Sequence, residues 1–112
     1  MSEPKEQSRA QQLMGDFAPR LAELTDDVLF GDVWARAELS PRDRSLVTVA
    51  ALIANGNTEQ LPSHLNLARA NGLSETELAE VMTHLAFYTG WPRAISAILV
   101  AKDVFKSTHQ DL

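Results

Sequence analysis

Ser40-Pro41-Arg42-Asp43-Arg44-Ser45-Leu46-Val47-Thr48-Val49-Ala50-Ala51-Leu52-Ile53-Ala54-Asn55-Gly56 carries its own start and stop signals. Ser40 has a side-chain oxygen able to cap a first-turn N–H, and Pro41 suits the first helical position because its missing N–H would have had no partner there. Asp43 is placed to reach back to the cap. Asn55-Gly56 is a C-terminal stop, where glycine takes a left-handed conformation without cost. The stretch Ser45 to Ala54 is apolar nearly all round, which predicts a helix buried at the centre of the molecule. A buried strand would give a similar run, but the length and the two caps decide for a helix.

The same punctuation continues downstream. A second helix begins around Thr58 to Pro62 and ends at Asn71-Gly72, with Pro62 tolerated only in the first turn. Ser74-Glu75-Thr76-Glu77 is a capping box that opens a helix with Leu78, Val81, Met82 and Leu85 on one stripe. Gly90 ends it, and Pro92 starts another that reaches about Lys106. Upstream, Lys5 to Leu24 is a looser amphipathic pattern that Pro19 bends or divides. Thr25-Asp26-Asp27 then reads as the cap of a short helix carrying Val28, Leu29 and Trp34. No segment alternates with period two over strand length. The expected fold is therefore all-α, with five or six helices: an N-terminal helical arm over residues 1–24 and a helical body over 25–112, one domain overall. The first several residues are expected to fray.

Composition narrows the function classes. A chain of 112 residues holds one domain with a core, and its 45% apolar and 22% charged residues are ordinary for a globular protein. A formal net charge of −5 with scattered cations argues against nucleic acid, which needs a basic patch. The absence of cysteine removes disulfides, thiolate metal sites and thiol chemistry. The polar Met1 to Arg9 is neither a signal nor a transit peptide, and Leu46 to Ala54 is far short of the roughly 20 apolar residues of a membrane span. A cytoplasmic location, with no membrane association, is expected.

Apolar residues are in surplus. Ala94, Ile95, Ala97, Ile98, Leu99, Val100, Ala101 and Val104 leave the last helix little face for solvent. The helix before it has a second stripe through His84 and Phe87, continued by Trp91. A domain this small cannot bury every side within itself, and small residues such as Ala94, Ala97 and Ala101 allow close helix contact. Closed, symmetric homo-oligomerisation is the expectation.

Groups able to do chemistry are few. His64 falls within its helix, with Gln60 one turn before; a helical histidine of this kind serves either packing or a site. Glu59 is five residues away, about 140° round the same helix, so the two face one site only from different walls or if the helix begins later. His84 and Tyr88 form an i, i+4 pair that either lines a groove or ties the tyrosine hydroxyl of a partly buried ring. Trp91 before Pro92 anchors a helix corner or walls a pocket. In Arg42-Asp43-Arg44, either an intrahelical ion pair faces solvent, or Arg44 projects into a pocket and holds a carboxylate. No metal-ligand spacing, phosphate loop or serine-nucleophile motif is present in the chain.

Leu39-Ser-Pro-Arg-Asp-Arg-Ser-Leu-Val-Thr48, Glu59-Gln-Leu-x-x-His64, Asn71-Gly-Leu-Ser-Glu-Thr-Glu-Leu-Ala-Glu-Val81 and Tyr88-Thr-Gly-Trp-Pro92 together resemble the carboxymuconolactone decarboxylase family in order and spacing, over about Val28 to Phe105. The resemblance implies a fold related to the alkyl hydroperoxidase D proteins, assembled as trimers or hexamers. The peroxidase branch carries cysteines seven and four residues before the histidine that matches His64; here those positions are Asn57 and Gln60, so dithiol peroxidase chemistry is excluded. The decarboxylase branch shows two acidic residues before Leu-x-x-His, where this chain has Glu59 and Gln60. A glutamine orients an imidazole but neither raises its basicity nor takes its proton.

What the resemblance implies is cofactor-free decarboxylation of an unsaturated carboxylated lactone in the breakdown of aromatic compounds. Electrons move toward the lactone carbonyl, whose developing oxyanion must be stabilised while a proton is delivered to the ring. His64 is the expected proton donor, with Glu59 the second expected catalytic residue, and Arg44 the carboxylate clamp. Gln60, His84, Tyr88 and Trp91 are the expected substrate contacts, with no metal. Two other readings keep the scaffold: a non-catalytic helical oligomer that binds a small ligand or partner, and a proton-transfer isomerase acting on a related acid or lactone. An enclosed polar pocket holding His64, Glu59 and Arg44 would favour an enzyme.

Overall fold

The computed structural model describes residues 7–110, with side chains through Lys106. The fraying expected of the first residues falls on Met1 to Glu6, outside the described residues. Every regular element among the described residues is helical, as the absence of period-two patterning predicts. The chain divides into two compact units, Met1–Leu39 and Ser40–Leu112.

In the first unit, α1 (Arg9–Met14) and α2 (Pro19–Leu24) are separate helices, with Pro19 in the first turn of α2. Ser8 caps α1 by accepting the Gln11 N–H at 3.0 Å, and its own hydroxyl donates to Asp26 Oδ2 at 2.7 Å. The expected cap at Thr25-Asp26-Asp27 does not form. A π-helical stretch, Thr25–Val33, continues α2 without a break. Thr25 is helical, its hydroxyl donating back to Leu21 O at 2.8 Å, and Asp26 is taken by Ser8. Threonine and aspartate are good caps only where the preceding residue leaves the helix, and Leu24 stays in it (φ −63°, ψ −37°).

The second unit packs four helices: α3 (Pro41–Asn55), α4 (Leu61–Ala70), α5 (Glu75–Thr89) and α6 (Trp91–Gln110). Helix α3 touches α4, α5 and α6, and α6 also packs on α4 and α5. Ser40 accepts the Asp43 N–H at 3.1 Å, and Gly56 ends α3 with φ 71°. The Ser74–Glu77 capping box is complete in both directions. The core is built from Val49 and Ile53 of α3, Leu61, Leu65 and Ala68 of α4, Leu78 and Met82 of α5, and Ala97 and Ala101 of α6, with Leu73 from the α4–α5 turn. Burying a leucine such as Leu65 stabilises the fold by about 1.5–3 kcal/mol.

Two expectations about burial are corrected. Helix α3 is buried on one face only: Ser45, Val49 and Ile53 are inside, whereas Val47 is 60% exposed. The three helices packed on it converge on that face. The alanines of α6 face the unit's own core, with Ala94, Ala97 and Ala101 all buried, and Ile95, Ile98 and Leu99 point outward. A 3.6-residue period turns Ile95 and Leu99 away from those alanines and leaves Ile98 at the edge of the buried face. No helix among the described residues is long and apolar enough to cross a membrane.

Candidate functional site

Glu59, Gln60 and His64 stand together in the chain at the end of the second unit where α3 stops and α4 starts. Gly56 turns the backbone out of α3, and the segment to Gln60 is held by its own backbone: Thr58 N–H to Gly56 O at 3.0 Å and Gln60 N–H to Asn57 O at 3.3 Å. Helix α4 begins at Leu61, with Pro62 in its first turn and Gln60 at the N-cap. This is the late end of the expected range, and it removes the 140° separation that a common helix would impose on Glu59 and His64. Glu59 is exposed on the turn; His64 is the fourth residue of α4, half-buried, with its Nδ1 inside the protein. The Gln60 side chain makes no capping bond, while its carbonyl accepts from the Ser63 hydroxyl at 3.2 Å.

Arg44 lies at the other end of α3. Eleven residues separate it from Asn55, about 16 Å along the axis. It is half-buried, with its Nε enclosed. The neighbouring Arg42 forms the ion pair with Asp43 that the sequence allows, at 3.2 Å, and a second with Glu77 at the start of α5. Those contacts raise the Arg42 pKa, chiefly through the Glu77 hydrogen bond. The Glu77 carboxyl is held below the usual carboxylate range, first by its hydrogen bond with the Ser74 backbone N–H and then by Arg42.

His84 and Tyr88 meet by ring stacking, with centroids 4.9 Å apart and planes 29° apart. Tyr88 is 76% exposed, which corrects the reading of a partly buried ring. Trp91 opens α6 and meets Phe87 edge-on at 5.0 Å, so the two aromatics hold the α5–α6 corner from outside. His84 also lines a groove of about 480 Å³ between α3 and α5, together with Arg42, Glu77, Glu80 and an apolar floor that includes Leu46 and Leu85. A second groove, of about 720 Å³, runs between α5 and α6 past Met82, Ile98 and Phe105. Neither groove is lined by His64, Glu59 or Arg44.

The structure thus separates the expected residues into a cluster at the α3–α4 turn (Glu59, Gln60, His64), an arginine at the far end of α3, and an exposed aromatic face on α5 and α6. Of the residues that share the groove with His84, Glu80 and Glu77 lie one and two turns before it on α5, whereas Arg42 comes from α3 and was not legible as its neighbour. Arg93 was missed too. Its guanidinium lies over Gly56, so that a Cβ at position 56 would stand 2.5 Å from Nη1. The only hint in the sequence is an arginine in the first turn of a helix, directly after Trp91-Pro92.

Comparison with known proteins places this arrangement. Residues 19–103 match the model of the carboxymuconolactone decarboxylase family. The chain is 34% identical over 102 residues to a 4-carboxymuconolactone decarboxylase of Acinetobacter baylyi, covering 91% of this chain and 76% of that protein. It is 35% identical over 80 residues to the nitrosuccinic acid decarboxylase npaB of Metarhizium robertsii, covering 71% of this chain and 56% of that protein. The order of motifs, the all-helical fold and these matches agree, and the chain belongs to the carboxymuconolactone decarboxylase family.

Proposed function

We propose that this protein is a cofactor-free decarboxylase of a small carboxylic acid whose departing electron pair is taken up by a neighbouring electron-withdrawing group. Two relatives with different substrates are both named decarboxylases, which makes loss of CO₂ the shared chemistry. The observation that carries the reading to this chain is the placement of His64 in the first turn of α4, its ring partly enclosed, directly after the Glu59–Gln60 turn. An imidazole so placed delivers a proton to the carbon that loses CO₂, or to its conjugated position. Glu59 supplies a carboxylate that stabilises the imidazolium, and His64 recovers its proton from solvent between turnovers.

The first turn of α4 also supports charge development. With no side-chain cap, its leading N–H groups face the turn, and the helix dipole favours negative charge there. In a single copy Arg44, at the far end of α3, and His84, Tyr88 and Trp91, on α5–α6, stand away from the α3–α4 turn, so they serve the same substrate only where a second copy brings them to it. Without cysteine, the reaction runs apart from the dithiol chemistry of related peroxidases. The aromatic face of Phe87, Tyr88 and Trp91 supports a homo-oligomer of trimeric or hexameric type in which these side chains are covered. A cytoplasmic setting fits the same reading.

The test is incubation of purified protein with 4-carboxymuconolactone, following substrate loss and CO₂ release, with a His64→Ala control. The expected result is turnover that falls at least a hundredfold in the variant, the range for loss of a general acid. Full activity of His64→Ala would remove the central residue of the proposal.

A further inference from the structure

We infer that Arg93 binds the carboxylate that the substrate keeps, at the end of the second unit where Glu59 and His64 stand. This rests on the decarboxylase reading and adds a residue to its site. Arg93 sits in the first turn of α6, and its guanidinium is laid across Gly56, the residue that opens the turn carrying Glu59. Glycine is required at position 56 by its φ of +71°, and a side chain there would push the Arg93 guanidinium aside.

The ion pairs of the molecule point the same way. Arg20, Arg36, Arg42 and Arg69 each have a carboxylate within 3.4 Å. Arg93, like Arg9, has no carboxylate partner among the described residues, and it lies over Gly56, three residues before Glu59 in the chain. An exposed guanidinium presents two parallel N–H donors to a planar anion, the geometry that carboxylates fill best.

Chemistry says which carboxylate this is. 4-Carboxymuconolactone and nitrosuccinic acid each carry two carboxylates, of which one leaves as CO₂ and one remains. A cation on the departing group would stabilise the ground state and oppose its loss, whereas a cation on the retained group binds ground and transition states alike. An anchoring arginine therefore belongs on the retained carboxylate. In the step itself the C–C bond to the departing carboxylate breaks, its electron pair moves into the conjugated acceptor, and His64 returns a proton to carbon. Arg93 keeps its proton throughout.

The experiment compares wild type with Arg93→Gln and Arg93→Lys in two assays. In kinetics with 4-carboxymuconolactone, Arg93→Gln should raise KM on the order of 30- to 100-fold and change kcat far less, with Arg93→Lys between the two. In calorimetric titration with succinate, a dicarboxylate that cannot react in this way, wild type should bind and Arg93→Gln should not. If Arg93 only completes the C-terminus of α3, Arg93→Gln will lower the unfolding midpoint while KM and succinate binding stay at wild-type values, and the assignment is overturned. Absence of CO₂ release from wild type would sink the decarboxylase reading alone, because succinate binding still reports on Arg93. Wild type that binds no succinate overturns the assignment itself.

Discussion

Ser45, a fully buried polar residue of α3, accepts a hydrogen bond from Asn71 Nδ2 at 3.0 Å. Asn71 ends α4, and the same amide lies 3.5 Å from Pro41 O. One side chain thus pins the start of α3 to the end of α4, while the Gly56–Gln60 turn joins their opposite ends. The two helices are antiparallel and held at both ends, which fixes where His64 stands relative to α3.

Removing this contact should loosen the pair measurably. Ser45→Ala leaves the Asn71 amide short of an acceptor and should cost about 1–3 kcal/mol, read from urea unfolding. Ser45→Leu adds volume to a closed site as well and should cost more. A Ser45→Ala variant as stable as wild type would show that Asn71 finds another acceptor.

The capping box of α5 should make stability depend on pH through Glu77. Its pKa is lowered in the folded protein, first by the Ser74 N–H and then by Arg42. A depressed carboxyl stabilises the fold above its unfolded pKa and loses that contribution as pH falls through the folded value. Arg42, with a raised pKa, stays charged across the same window. Unfolding midpoints of wild type and Glu77→Gln should therefore differ at neutral pH and converge in acid below the ordinary carboxylate range. A constant difference at all pH values would refute the assignment.

The exposed aromatics should govern assembly rather than folding. Phe87 is 73% exposed and Trp91 is 55% exposed, so polar replacements leave the buried core untouched. The double variant Phe87→Ser, Trp91→Ser is expected to sediment as a smaller species than wild type, with its helical circular dichroism retained. Identical sedimentation of both proteins would place the contact between copies elsewhere.

Gln60 is the residue at which this chain departs from the pattern of two acidic residues, and the structure makes it testable. Its side chain makes no capping bond, so Gln60→Glu disturbs nothing in α4 and places a negative charge where the helix dipole favours it by about 0.3–1 kcal/mol. A carboxylate one turn from His64 should raise turnover of 4-carboxymuconolactone roughly tenfold or more, at the low end of acid–base contributions. An unchanged or lower rate would mean that Glu59 alone serves the histidine.

Local signals determined much of this protein. The Ser40-Pro41 start, the Gly56 stop, the Ser74–Glu77 box and the Gly90 break act within a few residues of backbone, and each appears where the sequence places it. The Glu59-Gln60-Leu61-x-x-His64 spacing was equally legible, since a turn followed by a helix start needs only its own residues. Thr25-Asp26-Asp27 shows the limit: the same residue types cap a helix or continue one according to what the preceding chain does. Which face of α3 or α6 is buried was settled by the helices packed against it, because a stripe apolar on several sides is satisfied by contact on any of them. Arg93 over Gly56 and His84 beside Arg42 were decided by tertiary structure alone. Those neighbours come from different helices, and no local rule of backbone or periodicity relates their positions.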